Sequence, residues 1–276
     1  MRDFNHKAAL ITGGSSGIGF SLAKQLVGFG SNVWILGRRL ELLESATIEL
    51  QKNKIHDDQA IGFIQADVSK VDDIGPILSG WMDKEGCPDL LINSAGVSRP
   101  GLFLELPNNI FEEMMAINYF GTVNITRLIL PGMLKRASGY IVNISSVAGF
   151  LGTYGYSAYG ASKFAVRGFS DVLRSELIST NIGMTVVFPP DTKTPQLAGE
   201  EEFKPRVTKE LSKSAGVLEP DFVAGKILKA VRKNSYICTP GLESSFLFAL
   251  SNILGRYTYS VMDMMVRDAI KKTKLK

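Results

Sequence analysis

The chain has few of the residues that build metal sites and disulfide frameworks. Its 276 residues include two cysteines, Cys87 and Cys238, and two histidines, His6 and His56, with no CxxC motif among them. A structural zinc site or a disulfide-rich secreted domain needs clustered ligands or paired cysteines. We therefore predict no metal site, no disulfide scaffold and a reducing compartment. A Ser-His-Asp hydrolase is disfavoured because both histidines stand in polar stretches.

Strong charge of one sign is also lacking. The 31 Lys and Arg residues nearly balance the 27 Asp and Glu residues, and only the segment after Arg267 is clearly basic. Scattered charge of this kind predicts no nucleic-acid surface. Residues 1–7 contain no apolar signal core, which favours a cytoplasmic protein over a secreted one.

What the sequence does contain is a regular alternation of two patterns. Apolar runs of strand length alternate with stretches of helical periodicity, and continuous apolar strands are typical of a parallel sheet covered on both faces. We predict one α/β domain over residues 1–241, a Rossmann-type doubly wound parallel sheet of about seven strands with helices on both faces. A helical C-terminal extension (residues 242–276) follows. The predicted strands are 8–12, 33–36, 60–64, 90–92, 140–144, 184–188 and 236–239, and the stretches of helical periodicity include 18–29, 40–51 and 110–134.

A glycine loop (residues 12–19, TGGSSGIG) separates the first predicted strand from the helix that follows it. Glycines allow a sharp turn and a close approach to a pyrophosphate, and the helix N-terminus presents free N–H groups. Because of this position, the loop predicts a dinucleotide site. The residues expected to bind there are Gly13, Ser15, Ser16, Gly17, Ile18 and Gly19.

The ends of the next strands indicate which dinucleotide is bound. Arg38 and Arg39 stand where an acidic residue would accept a hydrogen bond from the ribose 2′-hydroxyl of NAD. Two guanidinium groups at this position suit a 2′-phosphate instead. This pattern favours NADP(H) over NAD, although a solvated helix start would look the same. Further contacts to the coenzyme are expected after the third and fourth strands, from Asp67, Val68, Asn93, Ala95 and Gly96.

A second set of polar residues predicts acid-base chemistry. Tyr159 and Lys163 are four residues apart at the start of a helix, so both side chains can point into one cleft. The ammonium group is expected to lower the pKa of the phenol. Ser146 ends the fifth strand and could donate to a substrate carbonyl, while Asn118 places a polar side chain within an apolar helical pattern.

Taken together, the motifs TGGSSGIG, NSAG, Asn118, NISS and YGASK resemble the short-chain dehydrogenase/reductase family across about residues 5–240. The resemblance implies that Tyr159 is the general acid and that Lys163 binds the nicotinamide ribose. It also implies that Ser146, chosen over Ser145 by its spacing to the tyrosine, polarises the carbonyl and that Asn118 orders a relay water. A homodimer or homotetramer is expected by the same analogy.

The segment after the sixth strand, PPDTKTP (residues 189–195), departs from the family, which mostly has Pro-Gly at its start. Pro190 removes a donor and a backbone freedom. The resemblance nevertheless assigns Pro189, Thr192 and Thr194 to the coenzyme.

Together with Glu201-Glu202 and Lys204-Pro205, this segment is similar to the 3-ketodihydrosphingosine reductase branch of the family. The resemblance implies NADPH-dependent reduction of 3-ketodihydrosphingosine (3-dehydrosphinganine) to dihydrosphingosine in sphingolipid synthesis. Three alternatives remain at this point: a 3-oxoacyl-thioester reductase, a hydroxysteroid reductase and a non-catalytic NADP-binding regulator.

Two regions are expected to cover the substrate or contact a surface. Residues 196–216 are polar and are predicted to form a lid, whose run Glu200–Glu202 either meets a cationic amino ketone or is simply solvated. The C-terminal extension carries one apolar helical stripe and ends in a basic tail. It either packs on protein or lies in a membrane interface. The stripe is Phe246, Leu250, Ile253, Leu254, Tyr257, Val261, Met264 and Met265, and the tail lysines are Lys271, Lys272, Lys274 and Lys276.

Overall fold

The computed structural model of the chain describes residues 1, 3–213 and 216–274. Ser214 and Ala215 of the predicted lid, and Lys276 of the predicted basic tail, lie outside the described residues.

Seven parallel strands form one sheet, as predicted. Their order across the sheet is 3-2-1-4-5-6-7, so the chain reverses direction across the sheet between the first and fourth strands. In such sheets, ligands bind outside the carboxyl ends of the strands at this switch point. The strands are β1 (Ala8–Thr12), β2 (Asn32–Gly37), β3 (Ile61–Gln65), β4 (Leu90–Asn93), β5 (Gly139–Ile144), β6 (Ile182–Val187) and β7 (Ile237–Cys238).

Helices cover both faces of the sheet, and each face has its own hydrophobic core. Leu22, Leu43 and Ile227 are fully buried on one face, and Ile74 and Ile125 are fully buried on the other. The α-helices are α1 (Gly17–Gly28), α2 (Leu40–Gln51), α3 (Val71–Glu85), α4 (Asn108–Met114), α5 (Gly121–Arg136), α6 (Ser157–Glu176), α7 (Pro195–Glu200), α8 (Arg206–Ser212), α9 (Pro220–Arg232), α10 (Leu242–Leu254) and α11 (Tyr257–Lys274).

The periodic stretch at residues 110–134, predicted as continuous, is interrupted. A π-helical turn, Met115–Phe120, separates α4 from α5. Such turns are frequent at functional sites because they re-aim side chains within a helix. Here the turn contains Asn118, whose buried side chain is anchored by contacts outside its own helix.

The C-terminal extension is two helices rather than one. Gly255, with a φ of +51°, ends α10, and α11 follows after one further residue. The ring of Phe248 packs on Phe150 and Phe188, with centroids 5.0 and 5.4 Å apart. This contact supports packing of the extension on the domain. Within the described residues, no helix combines the length and apolar character that crossing a bilayer requires.

The apolar stripe that the sequence predicted for the C-terminal extension is largely exposed in the fold. Ile253 and Met264 expose 81% and 65% of their surface, and Phe246 and Tyr257 are also exposed. The packing contacts come instead from neighbours such as Phe248. The predicted stripe therefore does not form the packed face.

Candidate active site

A cleft of about 750 Å³ opens at the switch point of the sheet. It brings together residues from the whole length of the chain, and it extends from the glycine loop past the lid to α10 and α11. The predicted site residues that line it are Gly13, Ser15, Ser16, Gly17, Ile18, Gly19, Arg38, Arg39, Asp67, Val68, Ala95, Gly96, Ser146, Tyr159, Lys163, Pro189, Thr192 and Thr194.

The glycine loop is shaped by backbone contacts that no other residue would allow. Gly13 has a φ of +66°, and a Cβ atom there would lie 2.8 Å from the main chain of Ala95. Gly17 has a φ of +55°, and a Cβ atom there would meet Thr194 at 3.0 Å. The hydroxyl of Thr12 accepts from the N–H groups of Ser94 and Ala95, at 3.0 Å each. This cradle at the start of α1 fits the pyrophosphate of a dinucleotide.

Two arginines stand beside the cradle at the end of β2. The guanidinium of Arg38 lies 3.8 Å from the carboxylate of Asp67, and 53% of the Arg38 side chain is exposed. Arg39 is exposed and immediately precedes α2. Both cations therefore remain accessible to an anionic group in the cleft.

Asn93 departs from the prediction that it contacts the coenzyme. Its side chain is buried and donates to the Thr126 hydroxyl at 3.0 Å and to the Asn143 amide oxygen at 2.8 Å. Asn143 in turn donates to Ser170. The side chain of Asn93 therefore ties β4 to β5 and α5 inside the core and does not line the cleft.

Tyr159, Ser146 and Lys163 meet at the carboxyl end of β5. Tyr159 and Lys163 project from the first turns of α6, and Ser146 lies just beyond β5. The neighbouring Ser145 is buried and donates to the carbonyl of Lys163 at 2.9 Å, which holds it against α6. Ser146 instead forms a side-chain hydrogen bond with the phenol of Tyr159, and this bond favours the ionised form of the phenol.

The ammonium group of Lys163 is buried, and burial makes it easier to deprotonate. Its Nζ donates to the carbonyl of Ile144 at 2.9 Å and lies 5.7 Å from the ring centroid of Tyr159. Burial lowers the pKa of Lys163 to about 8. Lys163 can therefore change its charge near neutral pH.

The pKa of Tyr159 moves opposite to the sequence prediction. Burial, followed by the negative charge of Glu200, raises the pKa of Tyr159 above its ordinary value, and Ser146 offsets part of this rise. Lys163 is not among the largest causes of this shift. A phenol with a raised pKa keeps its proton at neutral pH, but it is a weaker acid than a free tyrosine.

Asn118 lies behind the cleft rather than on its surface. Its amide oxygen accepts from the N–H of Val97 at 2.8 Å. Its amide nitrogen donates to the Val97 carbonyl at 3.0 Å and to the Ser162 hydroxyl at 2.9 Å. Asn118 therefore fixes the segment after β4 and the start of α6, which carries Tyr159 and Lys163.

The PPDTKTP segment is held by main-chain pairing. Lys193 N–H donates to the Leu218 carbonyl, and Leu218 N–H donates to the Asp191 carbonyl, both at 2.9 Å. The Thr192 hydroxyl donates to the Pro190 carbonyl at 2.9 Å. The Thr194 hydroxyl caps α7 by accepting from Leu197 N–H at 3.2 Å. The main-chain bonds to Leu218 hold Thr192 and Thr194 at the cleft. Pro190 does not disturb this arrangement.

Sequence reasoning missed several residues of the cleft. Tyr156 lines the cleft with Tyr159 and the lid residue Glu200, and apolar side chains from distant segments line it as well. The acidic run in the lid indicated that carboxylates were near, but it did not show which of them turns inward. The apolar lining comes from distant segments that no local pattern connects. It includes Leu151, Leu211, Leu247, Met262 and Met265.

Comparisons with known proteins agree with this geometry. Residues 7–204 match the short chain dehydrogenase family. The chain is 36% identical over 243 residues to the 3-ketodihydrosphingosine reductase of Mus musculus, covering 88% of this chain and 73% of that protein. It is 37% identical over 248 residues to the 3-dehydrosphinganine reductase of Danio rerio, covering 90% and 75%.

A solved structure shows the same fold. The short chain dehydrogenase/reductase from Burkholderia phymatum, determined in complex with NAD, superposes with a TM-score of 0.81 at 23% identity, covering 92% of this chain and 95% of that one. The present chain belongs to the short chain dehydrogenase family of oxidoreductases. The predicted resemblance to the 3-ketodihydrosphingosine reductase branch is also confirmed.

Proposed function

We propose that the protein is an NADPH-dependent reductase that converts 3-ketodihydrosphingosine to dihydrosphingosine. The reaction consumes the ketone, NADPH and a proton, and it yields the secondary alcohol and NADP⁺. Family membership supports a nicotinamide dinucleotide as coenzyme, and the reductases named above support the ketone class. The observation that carries the proposal is the meeting of Tyr159, Ser146 and Lys163 in the cleft that the glycine loop borders.

Each of these side chains has a task that its environment allows. Bound NADPH would supply the hydride for the carbonyl carbon. Tyr159 is protonated at neutral pH and donates its proton to the carbonyl oxygen. Ser146 donates a second hydrogen bond to that oxygen. Lys163 offers ammonium donors to the nicotinamide ribose. Asn118 positions α6 through Ser162, and its ordering of a relay water stays a prediction from the family resemblance.

The preference for NADPH over NADH is proposed from Arg38 and Arg39. Both line the cleft at the end of β2, where the ribose of the adenosine is expected. The Arg38 guanidinium lies near the carboxylate of Asp67, but more than half of the Arg38 side chain remains exposed. A 2′-phosphate would form charge-assisted hydrogen bonds with these groups, and a 2′-hydroxyl would leave them solvated.

A long hydrocarbon chain suits the outer part of the cleft. Leu211 of α8, Leu247 of α10 and Met262 of α11 line it, so the lid and the C-terminal extension contribute apolar side chains to the passage, beside polar ones such as Ser212 and Glu243. Each methylene buried there contributes about 0.8 kcal/mol. This lining supports a lipid substrate over a small polar ketone.

The C-terminal extension, which lines part of the cleft, also carries exposed apolar and basic side chains. Phe246, Ile253 and Met264 are exposed, and Lys271 and Lys272 follow on α11. Side chains of this kind suit the interface of an anionic bilayer. We therefore include peripheral contact with a membrane from its cytoplasmic side in the proposal. The homodimer or homotetramer expected by family analogy stays a prediction.

Isotope transfer tests the proposed reaction. The protein is incubated with 3-ketodihydrosphingosine and NADPH that is deuterated at both C4 positions of the nicotinamide, and the product is analysed by mass spectrometry. We expect dihydrosphingosine with one deuterium at C3. Absence of the labelled alcohol, with intact NADPH binding, would contradict the proposal.

A further inference from the structure

Glu200 is a carboxylate buried in the cleft. It is the last residue of α7, it lines the cleft, and only 6% of its surface is exposed. Its neighbours in the lid, Glu201 and Glu202, are exposed. Glutamate is rarely buried without a partner of opposite charge, because removing an ion from water is costly.

Neutral donors hold the Glu200 carboxylate in a fixed orientation. The hydroxyl of Tyr156 donates to Oε2 at 2.8 Å, and the amide nitrogen of Gln196 donates to Oε1 at 3.3 Å. An ionised carboxylate has about four acceptor positions. Together with the nearby Ser98 hydroxyl, these donors fill at most three of the four positions, so acceptor capacity remains while the side chain is kept from rotating away.

No cation of the described chain pairs with this carboxylate. The salt bridges of the described residues do not include Glu200. The nearby Lys204, itself buried, extends its Nζ to Glu201 at 3.6 Å and to Asp191 at 4.0 Å. Lys204 acts on Glu200 from a distance, but burial outweighs it and raises the pKa of Glu200. No cation of the described residues contacts the carboxylate, so a cation placed there would complete an ion pair.

The carboxylate lies next to the proposed proton donor. The ring of Tyr156, whose hydroxyl binds Glu200, is 5.8 Å from the ring of Tyr159, centroid to centroid. The negative charge of Glu200 also raises the pKa of the Tyr159 phenol. A cation bound to Glu200 would therefore lie beside the carbonyl that Tyr159 protonates.

We propose that Glu200 binds the ammonium group of an α-amino ketone and so selects substrates that carry a cation on the carbon next to the ketone. This inference rests on the proposed function, since a 3-keto sphingoid base has this arrangement. Tyr156 and Gln196 act as positioning residues for the carboxylate. The ammonium group would complete the buried ion pair and form charge-assisted hydrogen bonds.

The test compares two ketones in two variants. Wild-type protein, Glu200→Gln and the matched lid control Glu202→Gln are each assayed with 3-ketodihydrosphingosine and with a ketone of the same chain that lacks the amine. For Glu200→Gln we expect the ratio of kcat/KM values, amino ketone over amine-free ketone, to fall about 10- to 100-fold, mainly through KM. For Glu202→Gln the ratio should stay within about twofold, because that side chain is exposed.

The outcomes separate this inference from the proposed function. An unchanged ratio in Glu200→Gln, with a wild-type enzyme that reduces the amino ketone, would overturn the role of Glu200 alone. A wild-type enzyme that reduces no amino ketone would overturn the proposed substrate, and the role of Glu200 with it. If Glu200→Gln does not bind NADPH, Tyr156→Phe replaces it. Loss of the positioning hydroxyl should lower the same ratio at least about threefold, and an unchanged ratio would again overturn the inference.

Discussion

The coenzyme side of the cleft is shaped mainly by main-chain contacts, and the substrate side mainly by side-chain contacts. On the coenzyme side, the glycine loop is formed by the main chain, as when Gly13 N–H donates to the Leu36 carbonyl at 2.8 Å between fully buried strands. On the substrate side, the lid consists of the short helices α7 and α8, which depend on side-chain contacts such as that of Tyr156 with Glu200.

The coenzyme side and the substrate side therefore differ in the substitutions that they tolerate. A surface made of backbone accepts few substitutions and suits a ligand that does not vary. A surface made of side chains can be altered residue by residue, which suits selection among substrates. Changes on the coenzyme side should therefore affect all ketones alike, whereas changes in the lid should affect particular ketones.

The largest effect is expected where the two sides meet. Tyr159→Phe removes the proton donor and leaves the glycine loop intact, so kcat should fall about 10²- to 10⁴-fold with every ketone. Coenzyme binding, measured by NADPH fluorescence, should change little. A variant that keeps most of its kcat would show that another group protonates the carbonyl.

The coenzyme side alone is tested by Arg38→Ala. Loss of one charge-assisted contact to the 2′-phosphate should weaken NADPH binding about 10- to 100-fold and NADH binding far less, with no change in preference between ketones. Titration of both coenzymes by fluorescence gives the two dissociation constants. Equal losses for NADPH and NADH would contradict the assignment of the 2′-phosphate to Arg38.

The pH profile tests the charge on Lys163. Because burial lowers the pKa of Lys163 to about 8, the side chain loses its positive charge as the pH rises through that value. The kcat/KM for NADPH reports groups of the coenzyme-free enzyme, so it should decline about tenfold per pH unit above pH 8. Lys163→Arg stays charged, so its profile should be lower but should lack this decline. Identical profile shapes would assign the titration to another group.

The smallest effect is expected from a matched pair of glycines, one on each side of the cleft. Gly13→Ala places a Cβ atom 2.8 Å from the Ala95 main chain at a φ of +66°, and about 1–3 kcal/mol of stability should be lost. At Gly199 in α7, no described atom lies within 4 Å of an added Cβ atom, so Gly199→Ala should be neutral or slightly stabilising. Thermal denaturation compares the two, and equal losses of Tm would contradict the contrast between the sides.

The coenzyme side was largely predictable from the sequence because its signals are local. The α2 bounds, Leu40–Gln51, and the β1 bounds, Ala8–Thr12, match the predictions. The side chain of Asn93 was predicted to contact the coenzyme because the motif was read as a unit. Asn93 is the last residue of β4, and its side chain points into the core, whereas Ser94 and Ala95 lie beyond the strand end and line the cleft.

The substrate side was less predictable because its contacts join distant segments. The rise in the pKa of Tyr159 depends partly on Glu200, which is 41 positions away in the sequence. Similarly, the packed face of α10 is decided by Phe150 and Phe188, which no helical period of the C-terminal extension can reveal. Periodicity identified the helices there, and the stripe that it marked is largely exposed, while Phe248 provides the packing contact.

The substrate proposal is tested most directly by the ratio of kcat/KM on 3-ketodihydrosphingosine to kcat/KM on a 3-oxoacyl thioester of equal chain length, measured with NADPH. Because both ketones have the same chain, the buried carboxylate alone predicts that the sphingoid ketone is preferred, by at least about tenfold. A ratio of one or less would contradict the account of the substrate side.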